Sequence, residues 1–156
     1  MNTIKLQFDI TTTDAECRLG VKVMLNNNII YDHPHVSDTY HVSHDISDED
    51  GEHELTIELY GKQPEHTTID NQGNIVKDAL IIVENFSIDD IDISSILTCV
   101  PNQLYSDVPK HVIQYAHDFN GTQPAIVDQF RGSMGCNGTV TLKFTTPIYL
   151  WLLENM

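Results

Sequence analysis

The chain has 156 residues, of which 40% are hydrophobic and 20% charged. That balance excludes wholesale disorder and suits one domain with a single core. Eight basic against 23 acidic side chains give a formal net charge of −15, so nucleic acid and anionic membrane surfaces are repelled; a divalent cation, a neutral sugar or a basic protein surface is compatible with such a charge.

The chain opens on a strand pattern. Ile4, Leu6, Phe8 and Ile10 alternate with polar neighbours, as a strand with one buried face requires. The first ten residues carry no basic and apolar leader pattern, so no secretory signal is expected. Val21, Val23 and Leu25 alternate next, and three asparagines, Asn26 to Asn28, supply the left-handed conformations of a hairpin turn before Ile29, Ile30 and Tyr31. Tyr40, Val42, His44 and Ile46 predict a further strand. An acidic turn around Gly51 follows, and then a strict alternation in which His53, Leu55, Ile57 and Leu59 face one way and Glu54, Thr56 and Glu58 the other.

Beyond this point Thr67 to Ile69 and Ile75-Val76 flank the polar turn Asp70 to Asn74. Ala79 to Val83 is continuously apolar, as in a central strand, and Ile88, Ile91 and Ile93 continue it past a bulge or turn at Asp89-Asp90. Thr98 to Lys110, with Pro101 and Pro109, reads as the longest loop or the weakest seam of the domain. Val112 to Tyr115 and Val140 to Phe144 read as strands around a loop-rich, glycine-punctuated stretch from Gly121 to Gly138. Asn120-Gly121 and Asn137-Gly138 read as turns. After Pro147, the apolar run Ile148 to Leu153 reads as a final strand closing the core; the alternative is a tail that docks on another subunit. Short strands separated by turn residues over residues 1–156 predict a single all-β domain, an antiparallel sandwich or barrel. No apolar run reaches the roughly 18 residues needed to insert in a membrane.

Chemistry-bearing patterns are sparse. Three cysteines, Cys17, Cys99 and Cys136, form no CxxC pair and read as free thiols. HExxH, GxSxG, phosphate-binding glycine loops and dinucleotide fingerprints do not occur, so no catalytic role is expected. His33 and His35 share a strand face across Pro34, whereas His41 and His44 point to opposite faces and cannot converge. The acidic stretch is the principal candidate. From Asp38 to Glu58 there are eight carboxylates and no Lys or Arg, and calcium is a hard cation taking six to eight oxygens. Asp45, Asp48, Asp50 and Glu52 are the candidate metal ligands here, with Asp70 or Asp78 arriving from elsewhere in space; the other reading is a solvated acidic turn that keeps a sheet edge from pairing.

Two stretches carry a resemblance. Gly51 to Leu59 resembles the Gly-x-His-x-Leu/Val-x-Val strand of jelly-roll carbohydrate-binding modules. Asp78 to Glu84, with Ile88 to Ile93, resembles their Asp-x-Asn-Leu-x-Val-x-x-Ile-x-Val-Asp-Gly strand pair. With the Gly20 to Tyr31 hairpin the likeness covers residues 20–97. It implies an antiparallel jelly-roll β-sandwich and, for calcium-dependent xylan-binding modules, a metal ligand at the position of Asp78. The family's Asn-Asp after the first strand is here Tyr60-Gly61-Lys62, and its glycine after the last is Asp90.

His117 to Thr122, Met134 to Val140 and the ending Pro147 to Met156 resemble small acidic proteins of T4-like marine phages such as cyanophages. That resemblance implies a non-enzymatic virion protein, made in the host cytoplasm, for assembly or host-surface attachment. Its partners would be other virion proteins, further copies in a homo-oligomer, or a surface glycan. The alternative is a soluble calcium-dependent carbohydrate-binding module.

Overall fold

The computed structural model describes residues 3–94, 112–117, 124–128 and 130–155. The expected loop from Thr98 to Lys110, and the turn at Asn120-Gly121, lie outside the described residues. Thirteen strands are described: β1 (Thr3–Thr12), β2 (Gly20–Leu25), β3 (Asn28–His33), β4 (Tyr40–Ser47), β5 (Gly51–Tyr60), β6 (Thr67–Ile69), β7 (Ile75–Asp78), β8 (Ile81–Ile88), β9 (Ile91–Asp92), β10 (Val112–His117), β11 (Pro124–Asp128), β12 (Ser133–Met134) and β13 (Gly138–Thr146). One sheet runs β12-β8-β1-β4, with β9 paired to β8; a second runs β11-β10-β13-β5-β2-β3; β6 and β7 form a separate hairpin. All pairings are antiparallel. This is the β-sandwich that the alternations predict.

Period-two patterning sets the core. Ile4, Leu6, Phe8 and Ile10 of β1 are buried, as are Val21, Val23 and Leu25 of β2, and Leu55, Ile57 and Leu59 of β5. They join Val140, Leu142 and Phe144 of β13 in one apolar cluster that draws on both sheets. Because a one-residue slip would turn each of these rows to solvent, the register is strongly specified. Phe8 stacks on Phe86 of β8 with centroids 4.9 Å apart.

The turns follow the sequence closely. Asn26 (φ 52°) and Asn27 (φ 68°) both take the left-handed conformation between β2 and β3, and Asp89 (φ 52°) and Asp90 (φ 66°) do so between β8 and β9, the geometry of tight two-residue hairpins. Asp70 Oδ1 accepts the N–H groups of Gln72 and Asn74 in the β6–β7 turn. Close approach explains Gly20: a Cβ there would meet the Tyr60 ring at 2.4 Å.

One expectation is sharpened and one corrected. Within the loop-rich stretch from Gly121 to Gly138, Pro124–Asp128 pairs with β10 through Ile126 opposite Ala116 and Val127 opposite Tyr115. The run after Pro147 is not a closing strand but a helix, α1 (Ile148–Asn155). Ile148, Trp151 and Leu152 are buried while Tyr149, Leu150 and Leu153 are exposed, and burial at i, i+3 and i+4 is the helical period. Trp151 packs edge-on against Phe144 at 6.2 Å. No helix among the described residues is long and apolar enough to cross a membrane.

Candidate functional site

A cleft of about 450 Å³ opens where the second sheet loses a strand. β5 pairs with β13 along its whole length, from Gly51 opposite Thr146 to Leu59 opposite Gly138. On its other side β2 ends at Leu25, opposite Leu55, so the first residues of β5 have no strand neighbour there. Asn26 covers part of that gap. Its backbone N–H donates to the Glu54 carbonyl, at 2.8 Å, and its side-chain Oδ1 accepts the Glu54 N–H at 2.8 Å. The left-handed turn thus lets one asparagine replace the missing strand.

The same amide orders the cleft's interior. With its oxygen committed to Glu54, Asn26 donates from Nδ2 to His53 Nδ1 at 3.1 Å. His53 therefore carries its hydrogen on Nε2 and donates a hydrogen bond to Thr146 Oγ1, 3.1 Å away, and the Thr146 hydroxyl donates in turn to the Glu49 carbonyl. The His53 ring stacks on Phe144 with centroids 5.3 Å apart. Burial holds the imidazole below its ordinary value of 6.5, as expected when desolvation penalises the cation.

Phe144 and Trp151 form the cleft floor together with His53; Asn26, Glu52, Glu54, Lys143 and Thr145 line the rest. Glu54 and Lys143 lie opposite one another across the β5–β13 pair. Carboxylates, an ammonium, an amide and a hydroxyl around an aromatic floor offer both acceptors and donors to a polyhydroxylated ligand. The volume falls within the roughly 300–1,000 Å³ usual for small-molecule sites.

The candidate metal ligands are dispersed, and Asp70 holds the β6–β7 turn by accepting the Gln72 and Asn74 N–H groups. Asp45 is exposed on β4, opposite Lys5 of β1. Asp48 Oδ1 accepts the Ile148 N–H at 2.8 Å, so it serves the N-terminus of α1, where a carboxylate is favoured. Asp50 is exposed in the turn before β5, and Glu52 is exposed on the wall of the cleft. Asp78 sits elsewhere, at the end of β7, with Lys62 Nζ 2.5 Å from its Oδ1. Among the described residues no group of three or more His, Cys, Asp or Glu side chains stands close enough together to hold a metal ion.

Sequence reasoning placed His53 on the inner face but gave it no role, and it missed Asn26, Lys143, Phe144 and Trp151 as cleft residues. The signal present in the sequence is a histidine heading an otherwise aliphatic row. Lys62 registered only as a departure from a family pattern.

No protein-family model matches the chain, and no curated protein matches it in sequence. Two solved structures resemble it. One is the selenomethionine form of vCBM60, from work linking two families of calcium-dependent carbohydrate-binding modules by circular permutation; it has a TM-score of 0.50 at 6% identity and covers 89% of each chain. The other is vCBM60 in complex with galactobiose, with a TM-score of 0.41 and 11% identity over 90% of this chain and 97% of that one. The first likeness is one of fold, an antiparallel β-sandwich.

Proposed function

We propose that this chain is a carbohydrate-binding β-sandwich that holds a neutral glycan in the cleft between Asn26, the start of β5, the end of β13 and α1. The observation that carries the reading is the cleft itself: Glu52, Glu54, Lys143, Asn26 and Thr145 surround a floor of His53, Phe144 and Trp151. Vicinal sugar hydroxyls pair with carboxylate and ammonium groups. A formal charge of −15 favours a neutral polymer over an acidic one. The sandwich likeness to a carbohydrate-binding module supports a glycan over a protein as the partner, and so favours this reading over a purely structural part of a virion.

Calorimetric titration with neutral polysaccharides, xylan and galactan among them, tests the proposal. Runs in calcium and in chelator show whether this binding shares the calcium dependence of the similar module. A saturable heat is expected, and Lys143→Ala and Glu54→Gln each weaken it about tenfold, the equivalent of one charge-assisted hydrogen bond at about 1.4 kcal/mol. Absence of binding across the panel, or binding that ignores both substitutions, would overturn it.

A further inference from the structure

Lys62 is 1% exposed, and a buried lysine needs partners for its charge. Its Nζ donates to Asp78 Oδ1 and to the Gly135 carbonyl, both at 2.5 Å. The Thr67 hydroxyl donates to the same Asp78 oxygen at 2.7 Å. The lysine's backbone is equally engaged: its N–H donates to Asn137 Oδ1 at 2.9 Å, and its carbonyl accepts from Asn137 Nδ2 at 3.0 Å. One residue thus ties the segment after β5 to the end of β7 and to the turn before β13. Gly61, with φ of 82°, gives the chain the turn that starts this segment.

A carboxylate and a backbone carbonyl converging on one point are the oxygens a hard cation takes. Here an ammonium stands between them. A divalent ion would need six to eight oxygens, would have to displace the lysine, and would be repelled by it while it stays. The surroundings of Asp78 therefore do not fit calcium, although the sandwich resembles a calcium-dependent module.

We propose that the cation at Asp78 is the protein's own Lys62 ammonium, a covalently tethered replacement for an exchangeable metal ion, and that this junction of the sandwich holds together without calcium. The claim is independent of glycan binding, and its tests contain no sugar.

Thermal melting of the full chain in millimolar calcium and in chelator is the first test, with Asp78→Asn run alongside. Coincident wild-type melting curves support the proposal. So does a calcium shift that Asp78→Asn preserves, because it then arises elsewhere, for instance in the acidic turn. A calcium shift that Asp78→Asn abolishes overturns it. The second test needs no variant: a buried, hydrogen-bonded ammonium exchanges its protons slowly enough for its ¹H–¹⁵N signal to be followed by NMR. That signal stays in place through a calcium titration if Lys62 is the resident cation. Loss or displacement of the signal on adding calcium refutes the assignment even if Asp78→Asn fails to fold.

Discussion

Asn26 and His53 are joined by a single hydrogen bond, 3.1 Å from amide Nδ2 to imidazole Nδ1, and that bond admits only the neutral ring. A second proton would sit on Nδ1 and face the donor hydrogens of the asparagine. Desolvation acts in the same direction, holding His53 below its ordinary 6.5. The unfolded chain therefore binds this proton more readily than the folded one, so the histidine's contribution to stability is full above about pH 6.5. It declines as pH falls through that value toward the lower value of the folded state.

Comparison with His53→Phe isolates the effect, since acidification also relieves repulsion among the many carboxylates. Wild type loses melting temperature relative to His53→Phe as pH falls from 7 to 5. A constant difference between the two across that range would show that the ring is not held neutral.

The cleft also shows what a sequence reveals and what it hides. His53, Leu55, Ile57 and Leu59 share an inner face, as their alternation predicts, because strand side chains alternate by geometry alone. The asparagine turn was legible for a similar local reason: few residues tolerate positive φ. The cleft as a whole was not legible, since Phe144 and Trp151 lie some ninety residues beyond Glu52 and reach it only through β5–β13 pairing. The helix after Pro147 was hidden differently: Tyr149, Leu150 and Leu153 are apolar yet exposed, which erases the polar face that marks an amphipathic helix. In the acidic turn, proximity in sequence is not convergence in space. Asp45 faces outward from β4, whereas Asp48 turns to the N–H of Ile148.

Trp151 is the largest of the three side chains that the helix buries, beside Ile148 and Leu152. Trp151 is 5% exposed and meets Phe144 edge-on, so Trp151→Ala removes aromatic contact area and leaves a cavity beneath the cleft. The expected loss is about 3–5 kcal/mol, on the order of 10 °C in melting temperature for a chain of this size. Asp48→Ala, which takes away only the acceptor at the helix start, costs about 0.5–2 kcal/mol. Equal losses for the two variants in denaturant titration would mean that α1 is held by its end and not by its buried face.

The Lys62–Asp78 pair has an asymmetry that a double-mutant cycle exposes. Lys62 is 1% exposed and Asp78 is 26% exposed, so the two single substitutions leave different orphans. Asp78→Ala strands an ammonium with little access to water and, among the described residues, only the Gly135 carbonyl for company, which places its cost in the range of about 3–5 kcal/mol for a broken buried pair. Lys62→Met leaves a carboxylate that still accepts from Thr67 and can draw water on its open side, for a loss of about 1–3 kcal/mol. The double variant Lys62→Met/Asp78→Ala is more stable than the sum of the singles implies, because neither charge is then left alone. Urea denaturation of the four proteins measures each term. Additive losses, or a larger loss for Lys62→Met than for Asp78→Ala, would show that the lysine is held by its stem and its backbone clamp to Asn137, with its charge contributing little.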